Sequence, residues 1–342
     1  RRNGQRHHWR HHRNTGQQNV LVDGQNIEQL FEGLDSEVTV EIYNDLGFLQ
    51  PVFRTVIVDE GTTIPGFLAF NNIDDASELR TLDLTLMGGT EITGNLDLTN
   101  TAGTDQNLIP QRFQTLTINS EGTAENLLNG ETANVITGDI TATPASTPDV
   151  DPSVENNLKN VVINASQDFV LEGDLVFSSV SDDARFDATN DDAATVTLEI
   201  NGEADVTIQQ IDVTDPDIDT LVINNAGTGT LTVTGASPAI NGDGGELETL
   251  TLEGTGDIVF GTDGEGITSA TVSTIDASAL SGDLTLGEVT DVDSADFAFT
   301  AGSGVTTMTL TSDVLDADVN ADPAESGWSI DYTNAAEGSE LR

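Results

Sequence analysis

Cysteine is absent from the chain, so no disulfide staples it and no thiolate holds a metal. Histidine is confined to His7, His8, His11 and His12. Beyond them there is no imidazole, which excludes Ser-His-Asp, Cys-His and His-ligated zinc chemistry from the rest of the chain. Trp and Tyr occur twice each, too rarely to line a cleft that holds sugars. No run approaches the roughly 18 apolar residues of a membrane helix. No GxxxxGK[ST] loop is present, and no GxGxxG follows a strand and opens a helix, so the nucleotide-binding signatures are missing. Basic residues are also scarce, with 11 Lys plus Arg against 59 Asp plus Glu.

The few bases are unevenly placed. Arg1, Arg2, Arg6, Arg10 and Arg13 lie in the first thirteen positions, which leaves 59 acids against 6 bases, a net of −53, in the remaining body. Lys159 is the only lysine. Such a body repels nucleic acid and anionic membranes and attracts divalent cations. Low Lys and high Asp also suit solvation in concentrated salt. Apolar residues make up 36% of the chain and aromatics 5%, a composition for many thin layers of Leu, Ile and Val rather than one thick core. A length of 342 residues accommodates two domains or one long repeat array.

What is present is a rhythm. In LETLTLEGTGDIVFG, residues 247–261, successive strand side chains point to opposite faces, so Leu250 and Leu252 share one face while Thr249, Thr251 and Glu253 share the other. After a Gly-rich corner, Ile258 and Phe260 oppose Asp257 and Val259. Leu247 falls on the wrong parity, which predicts a bend just before Glu248. The hexad at its start recurs as LRTLDL from Leu79, FQTLTI from Phe113, LKNVVI from Leu158, AATVTL from Ala193, IDTLVI from Ile218, LETLTL from Leu247, VSTIDA from Val272 and VTTMTL from Val305. A loose period near thirty is the mark of a repeat architecture. The fourth and sixth hexad residues are predicted to point inward, among them Leu82, Leu84, Leu116, Ile118, Leu221, Ile223, Leu250 and Leu252.

A second element, Gly followed by Asp or Asn and alternating apolar residues, appears as GNLDL from Gly94, GDITA from Gly138, GDLVF from Gly173, GDIVF from Gly256 and GDLTL from Gly282. Each repeat therefore reads as strand, corner, strand and polar excursion, the last varying in length as surface loops do. The expected fold is all-β, a β-solenoid or tandem β-sheet repeat array with a small N-terminal α/β module. Residues 1–18 read as a basic, His-rich flexible arm. Residues 19–75 read as a leading module or cap, with a short helix in GQNIEQLFEGL and strands in VTVEIY and FRTVIV. Residues 76–342 form the repeat body. The chain does not begin with Met and has no apolar h-region near its start, so any secretion signal is expected to have been removed or to lie elsewhere.

Candidate chemistry is limited to carboxylates and the arm. A carbohydrate-active β-helix enzyme is one reading, since 59 acids supply pairs at glycosidase distances; a lyase would also need a basic cluster, and only Arg80, Arg112, Lys159 and Arg185 are placed to form it. An adhesin or phage fibre segment that binds a receptor through its loops is another. The HHWRHH segment offers two His pairs to a transition metal, or a basic patch to the acidic body of a neighbouring subunit. In DVTDPDID, Asp215, Asp217 and Asp219 would project to one side of an extended segment, and Asp291 with Asp293 and Asp316 with Asp318 repeat that spacing. Several carboxylates and carbonyls are what Ca²⁺ requires, although neither an EF-hand nor a GGxGxD nonapeptide is present.

At TIDASALSGDLTLGEV, residues 274–289, the chain resembles the β-strand repeats of bacterial surface-layer proteins and related large secreted surface proteins. The resemblance spans about residues 76–335 and includes the LxTLxL and SGDLTL rhythm, scarce Lys, absent Cys and acidic balance. It implies an extracellular, often calcium-dependent, self-assembling β-rich protein without catalytic activity. The expected partners are further copies of the chain in a sheet or filament, with cell-surface polysaccharide a further candidate, while the acidic body and the lack of long apolar runs point away from nucleic acid and membrane insertion.

Overall fold

A computed structural model describes residues 6–10, 21–22, 25–26, 38–43, 52–58, 61, 63–64, 68–69, 81–98, 115–122, 133–141, 158–177, 194–215, 218–235, 238–290, 297–310 and 329–342. Among them every regular element is a strand, and two long sheets, of 12 and 14 strands, organise the chain. The architecture is the expected β-solenoid. Residues 27–34 of the expected helix lie outside the described residues, while Gln25–Asn26 pairs antiparallel with Leu21–Val22.

Each coil crosses the first sheet once and the second sheet in two short segments separated by a bend. After Arg6–Arg10 and Val38–Tyr43, the first-sheet strands are Val52–Val58, Thr81–Met87, Thr115–Glu121, Asn160–Ala165, Ala194–Gly202, Ile218–Asn225, Thr249–Gly254, Thr274–Leu280, Ala298–Thr300 and Ser329–Asp331. Each pairs in parallel with the next. Parallel pairing follows from the coiling itself, because every coil returns the chain to the same side before the next strand begins.

Alternation then places like on like. One inward file runs Val196, Leu221, Leu250, Ile275, Phe299 and Ile330. In the second sheet a file runs Ile92, Ile136, Leu171, Ile208, Val233, Phe260, Leu286, Met308 and Leu341. A further file, past the bend, runs Leu96, Ile140, Leu175, Ile211, Ile240, Ile267 and Val289. These side chains merge into one continuous buried core, with Ile330 partly buried against it and Leu341 left half-exposed. Fully burying each contributes roughly 1.5–3 kcal/mol before conformational entropy is set against it. All eight residues named above as inward-pointing are buried.

Leu247 is buried as well, Glu248 is exposed and Thr249 opens the strand, so the parity break before Leu250 is a corner. VTTMTL is a strand with Met308 buried, but Thr306–Leu310 belongs to the second sheet, paired with Leu284–Thr290. The first-sheet strand of that coil is Ala298–Thr300, built around Phe297 and Phe299. The five Gly-Asp or Gly-Asn pentads also separate into two structural positions. Those at Gly94, Gly138 and Gly173 make the bend within the second sheet, whereas those at Gly256 and Gly282 make the corner between the sheets.

Both corners stack closely. A Cβ at Gly173 would enter the backbone of Gly138 and Asp139, and one at Gly282 would enter that of Gly256 and Asp257. Along the outward-pointing positions of the first sheet the amides of Asn119, Asn164 and Asn201 form a ladder, with Asn164 Nδ2 donating to Asn119 Oδ1 at 2.8 Å and Asn201 Nδ2 to Asn164 Oδ1 at 3.1 Å. Such ladders are favoured where identical strands stack in register.

Candidate functional site: stacked carboxylates and sheet edges

The corner aspartates are explained by what lies one coil away. At the corner between the sheets, Asp168 Oδ1 accepts the Asp205 amide at 3.1 Å and Asp205 Oδ1 accepts the Thr230 amide at 2.8 Å. Further along, Asp257 Oδ1 accepts the Asp283 amide and Asp283 Oδ1 the Val305 amide, both at 2.8 Å. At the second bend, Asn95 Oδ1 accepts the Asp139 amide and Asp139 Oδ1 the Asp174 amide, both at 3.0 Å. Each side chain thus satisfies a corner N–H that the sheet ladder leaves free. For Asn95, Asp139, Asp257 and Asp283 the sequence signal was the Asp or Asn after Gly, whereas Asp168 and Asp205 follow Gln167 and Ala204; the acceptor role becomes visible only once the coils are stacked.

Stacking also crowds like charges. The Asp174 carboxyl is held above the usual carboxylate range, first by burial and then by repulsion from Asp139 and Asp212. Strands about 4.8 Å apart leave stacked carboxylates at separations where repulsion is appreciable.

Two of the seven proposed cation ligands, Asp215 and Asp219, lie among the described residues. Asp217, Asp291, Asp293, Asp316 and Asp318 lie outside the described residues. Asp215 precedes the strand Ile218–Asn225, and its carbonyl accepts the Ile218 amide at 3.1 Å. Asp219 lies within that strand, where Oδ2 accepts the Ala194 amide at 2.9 Å, so its carboxylate already bridges two coils. Among the described residues no group of three or more His, Cys, Asp or Glu side chains is arranged to hold a metal ion. No helix among them is long and apolar enough to cross a membrane.

The sheet edges form the other candidate site. The first sheet begins with Arg6–Arg10, antiparallel to Val38–Tyr43, which is antiparallel to Val52–Val58. It ends at Ser329–Asp331. The second sheet ends at Glu340–Leu341, and Leu341, last of a file buried from Ile92 to Met308, is 49% exposed. Around these end strands Asp331 Oδ1 accepts the Thr333 hydroxyl and, at 2.8 Å, the Thr333 amide, which together hold its carboxyl below the usual range, and Arg342 pairs with Glu340 at 2.7 Å.

No family model, curated protein or solved structure matches the chain.

Proposed function

We propose that the chain is a structural, self-assembling extracellular protein, the subunit of a surface lattice or filament, whose role is assembly rather than catalysis. The observation that supports this reading is the in-register parallel stacking of the coils, whose inward files run from strand to strand through both sheets. Each coil offers the next a strand edge beside an apolar file, and edges of that kind recruit further strands. The resemblance to bacterial surface-layer repeats and the absence of Cys support an extracellular setting. Cations belong to the same reading, because a body at −53 with stacked corner carboxylates is relieved when Ca²⁺ joins loop acids such as Asp215 and Asp217. Sedimentation of the purified chain over a wide concentration range tests the proposal. Large ordered species should appear without added ligand, and a monomer at every concentration would remove the reading.

A further inference from the structure

In the second sheet, the residue before each member of the inward file that contains Leu171 and Val233 points outward. Over six successive coils these outward residues are Val170, Thr207, Thr232, Val259, Thr285 and Thr307, paired in register from one strand to the next. Thr285 is exposed and the other five are partly exposed. Every one is β-branched and none is charged, in a chain with 59 acids. Carboxylates flank the file instead: Asp205, Asp257 and Asp283 are exposed at the corner between the sheets, and Glu172 and Glu288 are exposed towards the bend. The outward face of the first sheet differs, because its files include Glu199, Glu253 and Asp276.

We infer that this Val/Thr file is a lateral contact between copies of the chain, the second sheet of one copy packing face to face on the second sheet of another. This rests on the self-assembly reading and names one of its surfaces. Repeat length selects a second copy as the occupant. The file recurs at the strand spacing of about 4.8 Å, so the surface that interdigitates with it coil by coil has the same repeat, and another stack of these coils supplies it. Charge selects the face. Two bodies at −53 meet across this file without setting carboxylates directly opposite one another, whereas two first-sheet faces would bring their Glu199 and Glu253 together. A strip roughly 30 Å long and one or two side chains wide covers far less than the roughly 800 Å² that each partner of a stable complex buries. The contact is therefore weak between two copies and gains strength by repetition within a lattice or filament. Its flanking carboxylates approach those of the partner as the faces close, so monovalent salt, which screens them, should strengthen it.

Single-cysteine cross-linking tests the surface cleanly, because the wild-type chain has no Cys. A short bismaleimide should join full-length Thr232→Cys into dimers on the order of tenfold faster than Thr251→Cys, whose thiol would lie on the outward face of the first sheet. The rate for Thr232→Cys should rise with monovalent salt. In parallel, Thr207→Glu with Thr232→Glu should need on the order of tenfold more protein than wild type to polymerise. Thr220→Glu with Thr251→Glu, which adds the same charge to the other face, should shift that threshold far less, and far-ultraviolet circular dichroism establishes that each variant is folded. Wild-type polymers together with equal cross-linking at the two positions, equal thresholds for the two double variants, or cross-linking that falls with salt would overturn this surface while leaving self-assembly standing. A wild-type chain that never polymerises would overturn both.

Discussion

Replacing Gly282 with Ala probes the closeness of the coils directly. A Cβ at Gly282 would lie inside the contact distance of the Gly256 carbonyl, and Asp257 N would be 2.9 Å away. Gly304 approaches the carbonyl of Gly282 in the same way from the next coil. The obstructing atoms are backbone, so no rotamer change relieves them, and two coils held about 4.8 Å apart must part. Overpacking of this kind costs about 3 kcal/mol, the upper end of the usual range, because the neighbours cannot yield separately. Gly244 supplies the control: its φ is +85° but nothing lies within 4 Å of an added Cβ, so Gly244→Ala meets only the left-handed backbone penalty of about 1 kcal/mol. Urea unfolding of both variants, followed by circular dichroism and compared at matched slopes, should show Gly282→Ala less stable than Gly244→Ala by about 2 kcal/mol. Equal stability would refute the close-stacked corner.

Leu250→Asp should lose about 3–5 kcal/mol by placing an unpaired carboxylate in a fully buried site; wild-type thermal stability would contradict the inward parity of that strand. Asp174→Asn should stabilise the protein at neutral pH. The raised carboxyl of Asp174 penalises the fold while ionised, and the penalty is relieved as pH falls through the folded value toward the unfolded one. The advantage of the variant should therefore shrink in acid, and a pH-independent difference would contradict the burial and crowding argument. Millimolar Ca²⁺ should raise the melting temperature well beyond an equal ionic strength of monovalent salt, with reversal by a chelator and partial loss in Asp215→Asn, Asp217→Asn, Asp219→Asn. No change on chelation would leave salt adaptation as the account of the acids.

The repeating hexad made the fold class and inward residues legible, since alternate Leu, Ile and Val state strand parity without any structure. Sheet membership was less legible. VTTMTL and LETLTL are nearly the same string, yet the first lies in the second sheet and the other in the first, because both sheets bury aliphatics on one face and impose the same alternation. The true first-sheet strand before VTTMTL, Ala298–Thr300, uses Phe where the hexad has Leu. The pentads hid a similar degeneracy: a Gly with a following carboxylate or amide serves either corner, as both need a close approach and an acceptor for the next coil's amide. The Arg6–Arg10 strand had no apolar alternation to reveal it, since its placement rests on backbone pairing with Val38–Tyr43. The acids of the long excursions carried charge and spacing but no indication of which strand they flank; for Asp219, the hydrogen bond to the Ala194 amide supplied that relation.

Fibre diffraction from aligned polymers of the wild-type chain tests the central claim most directly. If the chain assembles as proposed, ordered polymers should form without added ligand and the strand spacing of about 4.8 Å should appear as an oriented reflection. Preparations that yield no ordered polymers at all would contradict it.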